Sequence, residues 1–337
     1  MNILVTGGAG YIGSHTVLAL IQRSHHVVVL DNFSNSSPKV LARLESLAGV
    51  CIPLCQVDLR HGPEVLDVIK TNNIEAVIHF AALKAVGESC KQPLQYFDNN
   101  IAGTISLLSA MQASGVNRLV FSSSATVYGD TDKNPILENA ARLATNPYGR
   151  SKLIIEDMLQ DVCAAHPLFK AAILRYFNPV GAHPSGMIGE DPHGTPNNLM
   201  PYLCQVAIGK RPKLSVFGGD YATPDGTGLR DYLHVMDLAR AHADALDYLQ
   251  TRNENITVNL GTGRAYSVLE MIRTFEHANA VEIPYEIVGR RQGDVAKLYA
   301  DPGLAKELLN WQTQFDLTQM CVDAWRWQSK NPQGYEA

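Results

Sequence analysis

The chain has 337 residues, 46% of them apolar and 18% charged, with a net charge of −5. That length suits one large domain or two, and that composition suits a globular protein with a substantial core. Weak acidity with no basic cluster excludes a nucleic-acid surface, and no apolar run reaches the length of a membrane span. The chain opens directly on Asn2-Ile3-Leu4-Val5-Thr6, a strand pattern and not a signal peptide. Cysteines at 51, 55, 90, 163, 204 and 321 are scattered, so all six are expected as buried, reduced thiols in a cytoplasmic protein. The 11 histidines lack metal-ligand spacing, and His25-His26 reads as a strand edge; no metal is expected.

In chain order, residues 2–6 form an apolar strand, Gly7-Gly8-Ala9-Gly10-Tyr11-Ile12-Gly13 follows, and a helix runs to about Gln22. Residues 26–30 form a second buried strand that ends at Asp31. Strand, glycine turn, helix, strand and acid together resemble a Rossmann dinucleotide site. The glycines permit a tight turn and close approach of backbone to a pyrophosphate, which N–H groups at the helix start then hold. Asp31 lies 18 residues past Gly13, suited to the ribose diol of NAD, and no Lys or Arg follows before Lys39 to welcome a 2′-phosphate. NAD is therefore favoured over NADP.

The alternation continues with a strand at 50–57 ending at Asp58, a helix at 63–71, and a buried strand at 76–80 running into Ala81-Ala82. Residues 92–114 read as one long helix containing Asn99-Asn100, and the strand at 118–121 runs into Ser122-Ser123-Ser124. Asn146-Pro147-Tyr148-Gly149-Arg150-Ser151-Lys152 then reads as a helix start, with Thr145 or Asn146 as N-cap and Pro147 first in the helix. Tyr148 and Lys152 are four apart and share a face. A free tyrosine is a poor base at neutral pH, but a neighbouring ammonium and the positive helix end favour its phenolate. This helix extends to about Ala165, and a strand follows at 171–176. Strands alternating with helices predict an α/β fold, a Rossmann-type doubly wound parallel sheet.

After Phe177 the texture changes. Residues 178–198 are rich in Pro, Gly, Asn and His, as in an interdomain loop or a ligand loop. Another loop spans 218–228, a helix ends near Leu249, and a further helix runs from Val268 to about Ala278. The expected organisation is an NAD-binding domain over 1–177 and a smaller C-terminal α/β substrate domain over 178–337, with some later segments returning to the first.

Several stretches are more specific than either motif alone: Thr6–His15, His79–Ser89, Ser122–Gly129, Arg175–Ala182, Pro196–Pro201 and Asp225–Tyr232. Over nearly its whole length the chain resembles the UDP-glucose 4-epimerases of the extended short-chain dehydrogenase/reductase family. The resemblance implies that bound NAD accepts a hydride from C4 of a UDP-sugar, that the 4-keto sugar turns over, and that the hydride returns to its other face. It implies Tyr148 as base and acid, Ser124 as the hydroxyl that orients the sugar oxygen, and Lys152 as the ligand of the nicotinamide ribose. Gly7, Gly10, Tyr11, Ile12 and Gly13 would lie at the pyrophosphate, and Asp31, Asn32, Asn35 and Ser36 by the adenosine ribose. Asp58 and Leu59 would lie by adenine, and Phe80, Ala81, Ala82, Lys84, Asn99 and Phe177 would complete the cofactor site. For UDP it suggests Asn178, Asn198, Leu199, Phe217, Arg230, Tyr232, Arg291 and Asp294, the arginines matching diphosphate oxygens. A homodimer paired through the 92–114 and Tyr148 helices is also implied.

Two other functions compete. A 4,6-dehydratase needs an acidic pair after the position of Ser124, where this chain has Ala125 and Thr126, which cannot do that work. A non-catalytic NAD sensor has no need of Tyr148, Lys152 and Ser124 together. Sugar choice rests on one position shortly after the Arg-Arg-x-Gly-Asp stretch, which in the family lines the space beside C2. Counting from Asp294 gives Leu298, with Tyr299 next, and a leucine leaves room for an N-acetyl group. UDP-GlcNAc and UDP-GalNAc are then expected substrates as well.

Overall fold

The computed structural model describes residues 1–131, 133–291 and 294–336. It divides into two compact units, one of Met1–Gly129, Ala141–Tyr176 and Ala239–Val258, the other of Asp130–Ala140, Phe177–Leu238 and Asn259–Ala337.

The first unit is built on a seven-stranded sheet. Its first six strands are β1 (Asn2–Thr6), β2 (His26–Leu30), β3 (Leu54–Cys55), β4 (Ala76–His79), β5 (Arg118–Ser124) and β6 (Lys170–Tyr176). The spatial order is Ile256–Leu260, β6, β5, β4, β1, β2, β3. The pairings from β3 through β6 are parallel. Order reverses at β1, where β2 lies on one side and β4 on the other. The crevice beyond the carboxyl ends of such a pair is where open α/β sheets hold ligands. Both faces are covered, so β1, β2 and β4 read as continuous apolar runs, and Ile3, Leu4, Val5, Val29, Val77 and Ile78 are fully buried.

Two sequence-based elements are corrected here. The strand expected at 50–57 shrinks to Leu54–Cys55, because Pro53 inside the window removes a ladder donor and Cys51 and Pro53 stand exposed. The single helix expected at 92–114 is broken. Val86–Lys91 is a separate short helix, Pro93–Phe97 follows, Asp98–Ala102 forms a π-helical turn, and the α-helix resumes over Gly103–Ser114. The helix Lys39–Ala48 went unread in the sequence; it ends on Gly49 in the left-handed region. All six thiols are free, but only Cys204 and Cys321 are buried; Cys51 and Cys90 are exposed and Cys55 and Cys163 half-buried.

Among the described residues the second unit has three small sheets. Asn178–Val180 pairs with Tyr232–His234, and Leu214–Phe217 with Tyr285–Val288, both in parallel. Leu229–Arg230 lies between Tyr266–Ser267 and Lys297–Leu298. Helices Leu199–Ala207, Val268–Asn279 and Leu317–Lys330 supply much of its core, including Leu203, Met271, Ile272, Phe275 and Met320. Ser267 and Glu270 form a reciprocal capping box at the second of these helices, which fixes where it begins.

Candidate active site

The glycine turn after β1 is crowded by design of its backbone. Gly7 has φ +70°, and a Cβ there would stand 2.7 Å from Ala81 N; a Cβ on Gly13 would stand 2.2 Å from Gly7 O. Neither position tolerates a side chain, so the start of helix Tyr11–Gln22 lies bare beside the β1 and β4 ends. Asp31, at the end of β2, is buried. Its Oδ2 accepts from Ala9 N at 3.0 Å, and its Oδ1 accepts from Phe33 N at 2.9 Å and Ser36 Oγ at 2.8 Å. The carboxylate thus ties the glycine turn to the loop after β2, with acceptor capacity left over for a diol. Asn32 Nδ2 donates to Asp58 at 3.0 Å. Arg60 beside Asp58 holds that carboxyl far below its ordinary range. Leu59 is buried and Asn35 exposed. Phe80, Ala81 and Ala82 lead away from β4, and the Lys84 ammonium lies 6.0 Å from the Tyr11 ring centroid.

The helix Pro147–Ala165 begins as its sequence dictates. Asn146 is the N-cap, its side chain accepting from Gly149 N at 2.9 Å, and Pro147 takes the first position. This places half-buried Tyr148 against Ser124 at the end of β5. Ser124 Oγ accepts from both the N–H (3.2 Å) and the hydroxyl (2.9 Å) of Thr126. With its lone pairs engaged there, its own proton is directed at the Tyr148 phenolic oxygen, which favours the phenolate. Lys152, one turn on and buried, donates from Nζ to Ser122 O at 2.7 Å and lies 4.9 Å from the Phe121 ring centroid.

Burial pushes the Tyr148 phenol up, opposed by the Ser124 hydrogen bond and by the Lys84 ammonium. The Lys84 ammonium also favours the phenolate. Lys152 is itself pulled down to about 7 by burial, with the Glu156 carboxylate opposing. His79, at the end of β4, is held neutral between Thr6 (2.7 Å) and Thr104 (3.0 Å), its pKa driven to about 3 by burial and by Lys152.

Within the second unit, Arg230 and Leu298 are register partners on neighbouring strands. Arg230 Nη1 donates to Leu229 O and Val295 O, each at 2.9 Å, and Asp294 lies 3.9 Å from its guanidinium. Arg291 is exposed, bonded to Asp294 at 2.9 Å, with its guanidinium 5.5 Å from the Phe217 ring centroid. Phe217, Arg230, Arg291, Asp294 and Leu298 are thus one neighbourhood; Gln292 and Gly293 of that stretch lie outside the described residues. Asn178 pairs with Tyr232 across two strands. Asn198, which precedes helix Leu199–Ala207, donates to Glu190 at 3.1 Å. Phe177 is buried at the start of this unit.

The family described as GDP-mannose 4,6 dehydratase matches residues 4–324. A UDP-glucose 4-epimerase of Dictyostelium discoideum is 56% identical over 335 residues, covering 99% of this chain and 97% of that protein. A UDP-glucose-4-epimerase from Stenotrophomonas maltophila, solved with bound NAD and formylated UDP-arabinopyranose, superposes with TM-score 0.97 at 53% identity, 99% of each chain being covered. The chain belongs to the UDP-glucose 4-epimerase family. A UDP-Glc/GlcNAc 4-epimerase from Campylobacter jejuni is similar at 38% identity and TM-score 0.86, over 98% of this chain and 99% of that one. The broader dehydratase description fits the shared scaffold. The site itself lacks the extra acid and base: after Ser124 come Ala125, buried and inert, and Thr126, whose hydroxyl is spent on Ser124.

Sequence reasoning missed Asn100 in this epimerase fold. It named Asn99, which donates to Asn100 at 3.0 Å. Asn100 is the buried one, accepting from Leu83 N at 2.8 Å and donating to Leu83 O and Ser151 Oγ, each at 3.0 Å. Asn99 is implied by the family resemblance, and the adjacent Asn-Asn pair carries no signal that Asn100 is the buried member.

Proposed function

We propose that this protein interconverts UDP-glucose and UDP-galactose as an NAD-dependent 4-epimerase. The observation that carries it is the Tyr148–Ser124 pair with Lys152 one turn on, in a chain more than half identical to a named epimerase over its full length. The bare glycine turn and the buried Asp31 carboxylate fit a dinucleotide, with Gly7, Gly10, Tyr11, Ile12 and Gly13 at the pyrophosphate and Asp31 at the adenosine ribose. NAD, when bound, supplies a reversible acceptor for hydride. Tyr148 takes the proton from the sugar O4 and later returns it. Ser124 orients that oxygen and hydrogen-bonds the phenolate as it forms. Lys152 holds the nicotinamide ribose, and Lys84 supplies positive field at the phenol. In the second unit Arg230 and Arg291 take the diphosphate, with Phe217, Asn178, Asn198, Leu199, Tyr232 and Asp294 about the nucleotide. Purified protein given UDP-galactose tests this. UDP-glucose should accumulate to equilibrium with no added cofactor, and NAD should be released on denaturation. No turnover with or without added NAD overturns the reading.

The finer parts rest on particular residues. Leu298 is half-buried beside Arg230, and a leucine there, smaller than a tyrosine, supports turnover of UDP-GlcNAc and UDP-GalNAc as well. Leu94 is 80% exposed, Ile105 48% and Ile154 36%, on helices Pro93–Phe97, Gly103–Ser114 and Pro147–Ala165. Apolar side chains left in water on those helices support a homodimer formed through them, and light scattering that finds only the 36.8 kDa chain refutes it. No helix among the described residues is long and apolar enough to cross a membrane, and six free thiols suit a reducing cytoplasm.

A further inference from the structure

Below the reacting groups lies a buried ionic cluster that the proposed chemistry does not use. Glu156 is fully buried, one turn beyond Lys152 and two beyond Tyr148 on the same helix. A carboxylate there is costly unless every lone pair is matched. Four donors from three segments match it. Arg175 on β6 gives Nε to Oε1 at 2.9 Å and Nη2 to Oε2 at 2.7 Å. Arg142, ahead of the helix, gives Nη1 to Oε2 at 3.2 Å. Ser123 on β5 gives its hydroxyl to Oε1.

That last bond matters because of what flanks Ser123. Ser122 on one side receives Lys152 through its carbonyl, and Ser124 on the other meets Tyr148. Glu156 is therefore bonded to the middle of the three serines whose outer members hold the two functional side chains of its own helix. We propose that Glu156 is a positioning residue that sets the register of the catalytic helix against the end of β5, and that it serves as the counter-charge to Lys152 one turn before it on that helix. The proposal rests on the epimerase reading given above.

The charges around the two groups bear this out. Facing Glu156 are Arg175, whose Nη1 also donates to the Tyr128 hydroxyl at 2.9 Å, and Arg142, shared with Asp157 at 2.8 Å. Facing Lys152 are Glu156 on its own helix and His79 from β4, which burial keeps neutral. Glu156 is then the nearby anion that opposes the loss of the Lys152 proton. A uniform register clamp without charge would need no carboxylate; this cluster supplies both.

The test uses the NAD-loaded protein on UDP-galactose. Turnover by the wild type decides the reaction, so failure of that reading and failure of this proposal are separate results. Glu156→Gln keeps shape and removes charge. It should retain NAD and hold KM within about twofold, while kcat falls about tenfold or more from misplacement. The alkaline limb of its pH–rate profile should move to lower pH, because Lys152 gives up its proton sooner. Arg142→Met should move that limb the other way, since it frees Glu156's field for Lys152. Ser123→Ala should lower kcat several-fold with KM and the limb unchanged. Wild-type kcat in folded Glu156→Gln, or a lowered kcat with an unmoved limb, overturns the proposal. If Glu156→Gln does not fold, Ser123→Ala with wild-type kcat or Arg142→Met with an unmoved limb does so instead.

Discussion

Asn100 donates to Ser151 Oγ at 3.0 Å, and Ser151 Oγ donates on to the Tyr148 carbonyl at 2.7 Å. The same amide grips Leu83 by both N–H and C=O. The segment that carries Lys84 and the first turn of the catalytic helix are therefore one hydrogen-bonded frame. Lys84 favours the Tyr148 phenolate, so Lys84→Met should raise the tyrosine's pKa. The acidic limb of the kcat profile then moves to higher pH, so the profile narrows against its alkaline limb and activity at neutral pH falls. Asn100→Ala keeps the ammonium but loosens the frame, and should produce a smaller shift of the same sign. Profiles that superpose on the wild type would remove Lys84 from the account.

Tyr148→Phe removes one hydroxyl from a ring that is only half-buried, so the fold and the glycine turn are untouched. Loss of a single acid/base group typically lowers turnover by ~10²–10⁴-fold. The variant should still purify with NAD, measured by absorbance after denaturation, and near-normal turnover would sink the assignment.

Much of this was readable from the sequence because the signals were local. Asn146, Pro147 and the Tyr148/Lys152 spacing start a helix from adjacent residues, and the glycine turn after an apolar strand needs no tertiary knowledge. What escaped was non-local. Lys84 lies beyond the end of β4, far from Tyr148 in sequence, so no spacing rule links its charge to the phenol. Burial, which reverses the direction of the tyrosine shift, leaves no mark on the residue itself. The π-helical turn at Asp98–Ala102 breaks the 3.6-residue period, so no periodicity argument could show that Asn100 is the buried member of the Asn-Asn pair. The strand at 50–57 failed for a reason visible in advance, Pro53.

Leu298 sits opposite Arg230 in the three-stranded sheet, beside the arginines proposed above to take the diphosphate. Leu298→Tyr should suppress turnover of UDP-GalNAc and spare UDP-galactose. The quantity to measure is the ratio of kcat/KM for the two sugars in both proteins. An unchanged ratio shows that this position is not the gate, and a wild type inert toward UDP-GalNAc ends the idea.

His79 predicts a pH effect on stability. Its folded pKa is depressed to about 3 against an ordinary 6.5. Below 6.5 the unfolded chain takes up a proton that the folded chain refuses. Stability is therefore intact above that pH and falls as pH drops toward 3, by up to ~1.4 kcal/mol per unit. Urea midpoints at pH 7.5, 6 and 5 should decline on this account, and His79→Gln, whatever its absolute stability, should show a flatter decline. Equal slopes would assign the effect to other groups.

The polypeptide passes between the two compact units at 129/130, 140/141, 176/177, 238/239 and 258/259. Neither unit is a contiguous piece of gene. The edge strand Ile256–Leu260 of the large sheet leaves the ribosome some eighty residues after β6, once the strands and helices of 177–238 are already made. During synthesis the sheet must wait with an open edge beside β6, and unpaired strand edges invite foreign partners. A fragment cut at 176 would keep every residue proposed here to act on the proton and still lack the strand that closes its sheet.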